Sequence, residues 1–209
     1  MSLQAYKKKR DLTVTPEPGA RVKKSEGALV FVIQRHKASR LHYDLRLEMD
    51  GVLKSWAVPK GPSLNPKDKR LAMMVEDHPY DYKDFEGVIP EGNYGGGIVE
   101  IWDKGTYTNL EKDDKVLSEK SVKAGLKAGS LKFRLKGKKL KGEFALVKLK
   151  GKEENSWLLI KHNDEYAVDT EYNSEEDTLK TSPINKWLKE HAGDKVKKKP
   201  APKLPSRQA

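Results

Sequence analysis

Nine residues, Leu41 to Met49 (LHYDLRLEM), restrict this chain more than any other stretch. Leu41, Tyr43, Leu45, Leu47 and Met49 hold the odd positions, and His42, Asp44, Arg46 and Glu48 the even ones. Successive side chains of a β-strand point to opposite faces, so this alternation gives one apolar face and one face of imidazole, carboxylate, guanidinium and carboxylate. Wound as a helix, the same residues would scatter round the axis, so period two prevails. The flanks agree. Gly27 to Ile33 is rich in β-forming residues and leads to His36, and Lys37–Arg40 is a polar turn. Asp50-Gly51 signals a tight hairpin into a return strand, Val52 to Val58.

The polar face has the makings of a metal and anion site. His42 and Asp44 lie two residues apart, about 6.5–7 Å along a strand, and His36 can supply a third ligand. Two imidazoles and one carboxylate suit Mn, Fe or Zn better than Mg or Ca, which prefer oxygen. Arg46, next on the same face, is placed to hold a phosphate oxygen. The alternative is an amphipathic strand whose polar face is only solvated.

Composition narrows the classes. With 209 residues the chain suits one domain plus tails. It has no cysteine, which excludes disulfides, thiolate metal sites and a Cys nucleophile. No segment approaches the ~20 apolar residues of a membrane helix, and MSLQAYKKKRDL lacks the apolar run of a signal peptide. A soluble cytoplasmic, nucleoid-associated protein with no membrane partner is expected. The net charge of +11 is carried by Lys7–Arg10, by Lys132–Lys152 and by a tail without acids after Asp194. Such an excess favours a polyanionic partner, nucleic acid first.

Along the chain, residues 1–26 show no clear periodicity, and Pro16-Glu17-Pro18-Gly19 reads as an arm. Arg70 to Glu76 is a short strand delivering Asp77-His78-Pro79-Tyr80-Asp81-Tyr82 as a loop. There His78 and Tyr82 can donate to phosphate oxygens, and His78 can transfer protons. Gly95-Gly96-Gly97 lies outside any phosphate-loop pattern and reads as a close backbone approach or bulge. Ile98–Trp102 and Gly105–Asn109 read as a hairpin around Asp103-Lys104, with a short helix near Ser118–Ala128. Further strands are expected at Ser130–Leu135, Glu143–Leu149 and Trp157–His162. Ser182-Pro183 opens a last helix, with Gly193 as its stop and a disordered basic linker over 194–209. The sum is a mainly β fold, a barrel or sandwich of about eight strands with one or two short helices. Its parts are an arm over 1–26 covering the site, a barrel over 27–165 and an extension over 166–193.

Two long stretches, RHKASRLHYDLRLEMDGVLKSWAVPKGPS and EDHPYDYKDFEGVIPEGNYGGG, resemble the 3′-phosphoesterase domain of bacterial DNA ligase D and its stand-alone relatives. The resemblance implies a small closed or crescent-shaped β-barrel and a Mn-dependent enzyme, with Co²⁺ or Zn²⁺ as alternatives. Its substrates would be the 3′ ends of broken DNA at primer–template junctions. It would remove a terminal 3′ ribonucleoside and then the 3′ phosphate, leaving a hydroxyl for repair ligation. A ligase or polymerase and a Ku-like end-binding protein are the implied partners. By this resemblance His36, His42 and Asp44 are metal ligands, and Arg46, His78 and Tyr82 bind phosphate and act in catalysis. Gln34, Lys60, Arg70 and Glu76 support them. KRDLTVTPEP resembles the family's arm and implies roles for Arg10, Asp11 and Glu17 in the diesterase step.

Two other functions fit parts of the pattern. His42-x-Asp44 with a later histidine such as His162 would suit a non-haem Fe(II) oxygenase. A non-catalytic barrel gripping nucleic acid would need only the basic surface.

Overall fold

Nine strands form one antiparallel sheet in a computed structural model that describes residues 3–192, apart from 112 and 152. They are β1 (Leu29–Lys37), β2 (Leu41–Met49), β3 (Val52–Val58), β4 (Lys69–Pro79), β5 (Gly87–Ile89), β6 (Gly97–Asn109), β7 (Ser130–Lys136), β8 (Lys141–Lys148) and β9 (Ser156–Lys161). The spatial order is β1-β2-β3-β4-β9-β8-β7-β6-β5, and β1 also pairs with β6. That pairing closes eight strands into a barrel and leaves β5 as a short flap on β6. Of the two mainly β folds that the strand count allows, the barrel, which the resemblance implies, is the observed one. Among the described residues no helix is long and apolar enough to cross a membrane.

The odd residues of β2 do what their period dictates. Tyr43, Leu45, Leu47 and Met49 are buried in the barrel core with Phe31, Ile33, Trp56, Tyr107, Phe133 and Phe144. The β2–β3 hairpin turns at Asp50 (φ 53°) and Gly51 (φ 74°), both left-handed, as a two-residue turn between twisted strands requires. A second, smaller core of Tyr6, Leu53, Tyr82, Phe85, Ile89 and Val99 lies against the other face of the same strands. The polar face of β2 is thus covered rather than solvated.

Among the described residues three helices accompany the sheet, one more than the upper expectation. α1 (Leu3–Lys9) lies in the arm, where periodicity gave no sign of it, because Tyr6 is its only buried residue. α2 (Lys115–Ala128) is capped by Asp114, which accepts from the Leu117 N–H, and it ends at Gly129 (φ 77°). α3 (Pro183–Glu190) is capped by Ser182, as its sequence indicates. Gly193 and the tail 194–209 lie outside the described residues. The segment before α3 closes one mouth of the barrel. Buried Arg35 donates to Glu100 and Glu175, the Tyr43 hydroxyl donates to Glu175, and the Trp102 indole donates to the Ser174 carbonyl.

Two expectations fail, each at a bulge. The hairpin around Asp103-Lys104 is instead the middle of β6, one continuous 13-residue strand. Its register on β1 shifts between Ile33 and Gln34, so that Trp102 has no partner there. The inward phase changes at that point, with Trp102 and Tyr107 of opposite parity both in the core, and an interrupted phase looks like two strands. Likewise His78 is not in a loop. β4 runs to Pro79, with Val75 opposite Ser55 and His78 opposite Leu53. Strict alternation would send residues 75 and 78 to opposite faces. The extra residue between them aims both at the face that carries Asp44 and Arg46.

Candidate functional site

The site is built on the outer face of β1, β2, β3 and β4. His36, His42 and Asp44 each present a ligand atom, and these atoms lie within 4.8 Å of one another. His36 Nδ1 is 3.7 Å from Asp44 Oδ2, and His42 Nε2 is 3.8 Å from Asp44 Oδ1. His36 and His42 are opposite one another in the β1–β2 register, which brings distant sequence positions together.

The remaining ring nitrogens fix the tautomers. His36 Nε2 donates to the Gly95 carbonyl at 2.9 Å, and His42 Nδ1 donates to the Arg40 carbonyl at 3.0 Å. A carbonyl only accepts, so these nitrogens carry the hydrogens, and the other nitrogen of each ring is the one aimed at Asp44. Outer hydrogen bonds of this kind orient metal-binding histidines and raise their basicity. The donor set of two imidazoles and one carboxylate fits a divalent transition metal. Burial would raise the Asp44 carboxyl pKa, but the Arg46 guanidinium 3.0 Å away outweighs it, and the carboxyl is held well below its usual range. Asp44 is therefore an anion ready to ligate.

Arg46 is buried and braced on three sides. It donates to Gln34 Oε1 (2.6 Å), Ser55 Oγ (2.9 Å) and Asp44 Oδ2 (3.0 Å), and its guanidinium lies 4.7 Å from the Tyr82 ring centroid. Gln34 in turn donates to the carbonyls of Tyr82 and Phe85, tying the barrel to the 3₁₀ turn Tyr80–Asp84.

His78 holds its proton on Nδ1, which donates to the Glu76 carbonyl, while Nε2 accepts from Arg10 Nη2 at 3.1 Å. Burial, with Arg46 and Arg10 nearby, pushes its pKa well below that of an ordinary histidine, so it rests neutral. Burial likewise pushes the Tyr82 phenol well above its usual range, and that hydroxyl donates to Glu17 at 2.9 Å.

The arm docks through Arg10. Its guanidinium donates to Glu17 and Glu76 at 2.8 and 2.9 Å and lies 4.1 Å from the Tyr6 ring centroid. Lys9 adds a second bond to Glu76. Arg10, Glu76, His78 and Tyr82 join His36, His42, Asp44 and Arg46 around a pocket of about 200 Å³.

Not every residue singled out in the sequence comes to this pocket. Asp11 is exposed and accepts from Thr13 N and Oγ1 within its own turn. Lys60 and Arg70 line a second depression that shares no residue with the first, where Arg70 donates to Asp68 and to the Tyr172 carbonyl. His162 faces Glu143 at 3.5 Å and is no part of the histidine pair, so the arrangement of His42 and Asp44 with a later histidine is not formed. Ser55 and the Gly95 carbonyl were missed. A serine on an amphipathic strand and a backbone oxygen carry no mark of function, and only their partners reveal them.

Comparison with known proteins agrees with this geometry. The family model of the DNA Ligase D 3′-phosphoesterase domain matches residues 34–148, which include His36, His42, Asp44, Arg46, His78 and Tyr82. Over 166 residues the chain is 51% identical to the multifunctional non-homologous end joining protein LigD of Pseudomonas aeruginosa, covering 78% of this chain and 19% of that protein. It is 42% identical over 164 residues to LigD of Mycolicibacterium smegmatis, covering 78% and 21%. It is 44% identical over 158 residues to the LigD of Mycobacterium tuberculosis, covering 75% and 19%. The chain thus spans about one fifth of the length of these relatives. A barrel whose outer face carries this site, matched by that model over more than half its length, belongs to the DNA ligase D 3′-phosphoesterase domain family.

Proposed function

We propose that this chain heals DNA 3′ ends by metal-dependent phosphoester hydrolysis, first releasing a 3′-terminal ribonucleoside and then the remaining 3′ phosphate. The observation that carries the reading is the pairing of a tautomer-fixed histidine pair and Asp44 with a buried guanidinium one pleat further on. His36 Nδ1, His42 Nε2 and Asp44 would hold the cation, with Mn²⁺ preferred and Co²⁺ or Zn²⁺ as alternatives. When bound, it supplies Lewis-acid charge to the phosphoryl oxygens and lowers the pKa of water.

The chain's own groups do the rest. Arg46, already fixed by Gln34 and Ser55, gains no freedom and loses none when a phosphate arrives, so its charge is preorganised for the transition state. The Tyr82 phenol stays protonated and donates. The single negative charge of the scissile phosphodiester beside Arg46 and Arg10 offsets the charges that keep His78 neutral, and Nε2 then gives up its bond from Arg10 and takes a proton from solvent. In the diester step, water oxygen bonds to phosphorus and gives up a proton to solvent, the bond to the terminal O5′ breaks, and His78 Nε2 gives its proton to that oxygen. Arg10 and Glu17 shape the arm side of the pocket. Asp11, Lys60 and Arg70 would act, if at all, on DNA beyond the scissile phosphate. The 3′ hydroxyl left behind is what a sealing ligase consumes, so ligase, polymerase and Ku-like end-binding partners in end joining follow from the same reading.

The test is a 5′-labelled primer–template ending in one 3′ ribonucleotide. With Mn(II) the wild-type chain should convert it first to the 3′-phosphate and then to the 3′-hydroxyl strand. Turnover that survives chelator or His42→Ala would refute the metal assignment. Binding without any turnover would leave only a nucleic-acid-gripping barrel.

A further inference from the structure

The pocket that gathers the catalytic groups is too small for what the proposed diester step must release. About 200 Å³ holds a phosphate, whereas sites for ligands the size of a nucleoside and larger run to roughly 300–1,000 Å³. A second groove of about 740 Å³ opens beside it, and the two share Ala38, Ile89 and Gly95. Resting on the reading of the chemistry above, we infer that this groove is the subsite for the terminal nucleoside, with the Trp187 indole as the platform for its base.

Ala38, Ile89 and Gly95 form the partition between the two cavities. Gly95 turns its carbonyl to His36 on the metal side. A Cβ at Gly97 would lie 2.1 Å from the Lys37 carbonyl oxygen, so the start of β6 must be bare to pack on the end of β1. The groove on the far side is lined by Val88, Ile89, Ile98 and Trp187. Its only charged residues are Lys37 and Glu91, one of each sign.

That balance decides the occupant. The upstream strand carries a charge on every phosphate and calls for a basic track. The terminal nucleoside of the diester carries none once its 5′ oxygen is counted with the scissile phosphate. Apolar walls, an aromatic ring and a cancelled pair of charges suit the nucleoside. Trp187 is half-exposed and preset: His191 stacks on it with centroids 4.2 Å apart at 12°, and donates from Nδ1 to the Trp187 carbonyl. The Lys37 ammonium lies 4.6 Å from the indole centroid, and a flexible cation yields that place to a base. Trp187 lies outside the stretch 34–148 that matches the family model, on a helix that packs along β6.

Two primer–templates that differ only in the end group test this. One ends in a 3′ ribonucleotide and the other in a 3′ phosphate, which has no terminal nucleoside to place. In the full chain with Mn(II), Trp187→Ala should lower kcat/KM for ribonucleoside release by roughly tenfold, the scale of one lost base–aromatic stack. Release of inorganic phosphate should stay within about twofold of wild type, and Trp187→Phe should restore most of the first activity. Adenosine titrated into the metal-free chain gives a reading that needs neither turnover nor a variant. The other three of the four tryptophans, Trp56, Trp102 and Trp157, are buried, so quenching reports Trp187. Equal losses on both substrates, no loss on either, or no quenching by adenosine would each overturn the subsite. A wild-type chain that releases phosphate but never nucleoside overturns the diester reading itself, and the subsite with it.

Discussion

Gln34→Met removes one amide from the centre of the site while keeping side-chain length and volume, so little cavity is created. The cost follows from what the amide holds. Gln34 is fully buried, donates to the Tyr82 and Phe85 carbonyls at 3.0 and 2.8 Å, and accepts from Arg46 Nε at 2.6 Å. Two neutral bonds at about 1 kcal/mol each and one to a charged group at about 1.5–3 kcal/mol sum to about 4 kcal/mol. The Tyr82 carbonyl still accepts from the Phe85 N–H, which places its share at the lower end. For a 209-residue chain, each kcal/mol moves Tm by about 2–4 °C, so a fall of about 8–16 °C is expected. Urea unfolding should show a lower midpoint with unchanged slope. Function should divide in a particular way. The ligands His36, His42 and Asp44 keep their own bonds, so Mn(II) affinity should hold, while kcat falls because Arg46 has lost one of its three braces. A stability loss under about 1 kcal/mol, or lost metal affinity with kcat intact, would refute the role assigned to Gln34.

His42→Ala, at a half-buried position with one hydrogen bond to backbone, should cost little stability and lower Mn(II) affinity by more than about tenfold in calorimetry; unchanged affinity would sink the ligand assignment. Arg10→Leu leaves Glu17 and Glu76 buried without their shared cation, so the arm should loosen and trypsin should cut at Lys7–Lys9 several-fold faster; a wild-type cleavage rate would show that Arg10 does not hold the arm. Acid should loosen the same contact. Burial raises the Glu76 pKa, but bonds from Arg10 and Lys9 outweigh it and leave it below 4.5, so its contribution is complete above that pH and is lost as pH falls through the lowered value. Tryptic sensitivity cannot be read there, but pepsin can. Cleavage of the arm, relative to an unfolded peptide at the same pH, should accelerate below about pH 4.5 in wild type, and an arm equally protected at pH 3 and pH 5 on that scale would contradict the coupling.

How much of the fold could be read in advance is a matter of where alternation is unbroken. β2 carries five apolar residues in phase and ends on Asp50-Gly51, and its limits were legible to the residue. β6 and β4 each contain a bulge. A bulge inserts one residue and inverts the parity beyond it, so an uninterrupted strand presents itself as two or as a strand and a loop. Ser182-Pro183 declared α3 because its cap and first turn are local chemistry. α1 could not be read, since one Tyr6 and three lysines make no amphipathic stripe, and its position depends on Arg10 meeting carboxylates 7 and 66 residues away.

The site was legible in its members more than in its logic. A polar strand face next to an apolar one suggests water on the polar side, yet Gln34, Asp44, Arg46, Glu76 and His78 are all buried. Burying so many charges is costly unless each is paired and hydrogen-bonded. The pairing is what the sequence hides. Arg46 meets Asp44 two residues along its own strand, Ser55 across the hairpin and Gln34 on the other neighbour. Glu76 and Glu17 meet Arg10 from the arm. With those bonds made, the guanidinium and the imidazoles are fixed before any substrate arrives, and a phosphate entering the pocket need only replace the solvent that the arm, the 3₁₀ turn and β5 have not already excluded. Preorganisation of that kind is worth most where the dielectric is low. The arm and flap that make the polar face look anomalous are therefore what let its charges act on a phosphoryl group.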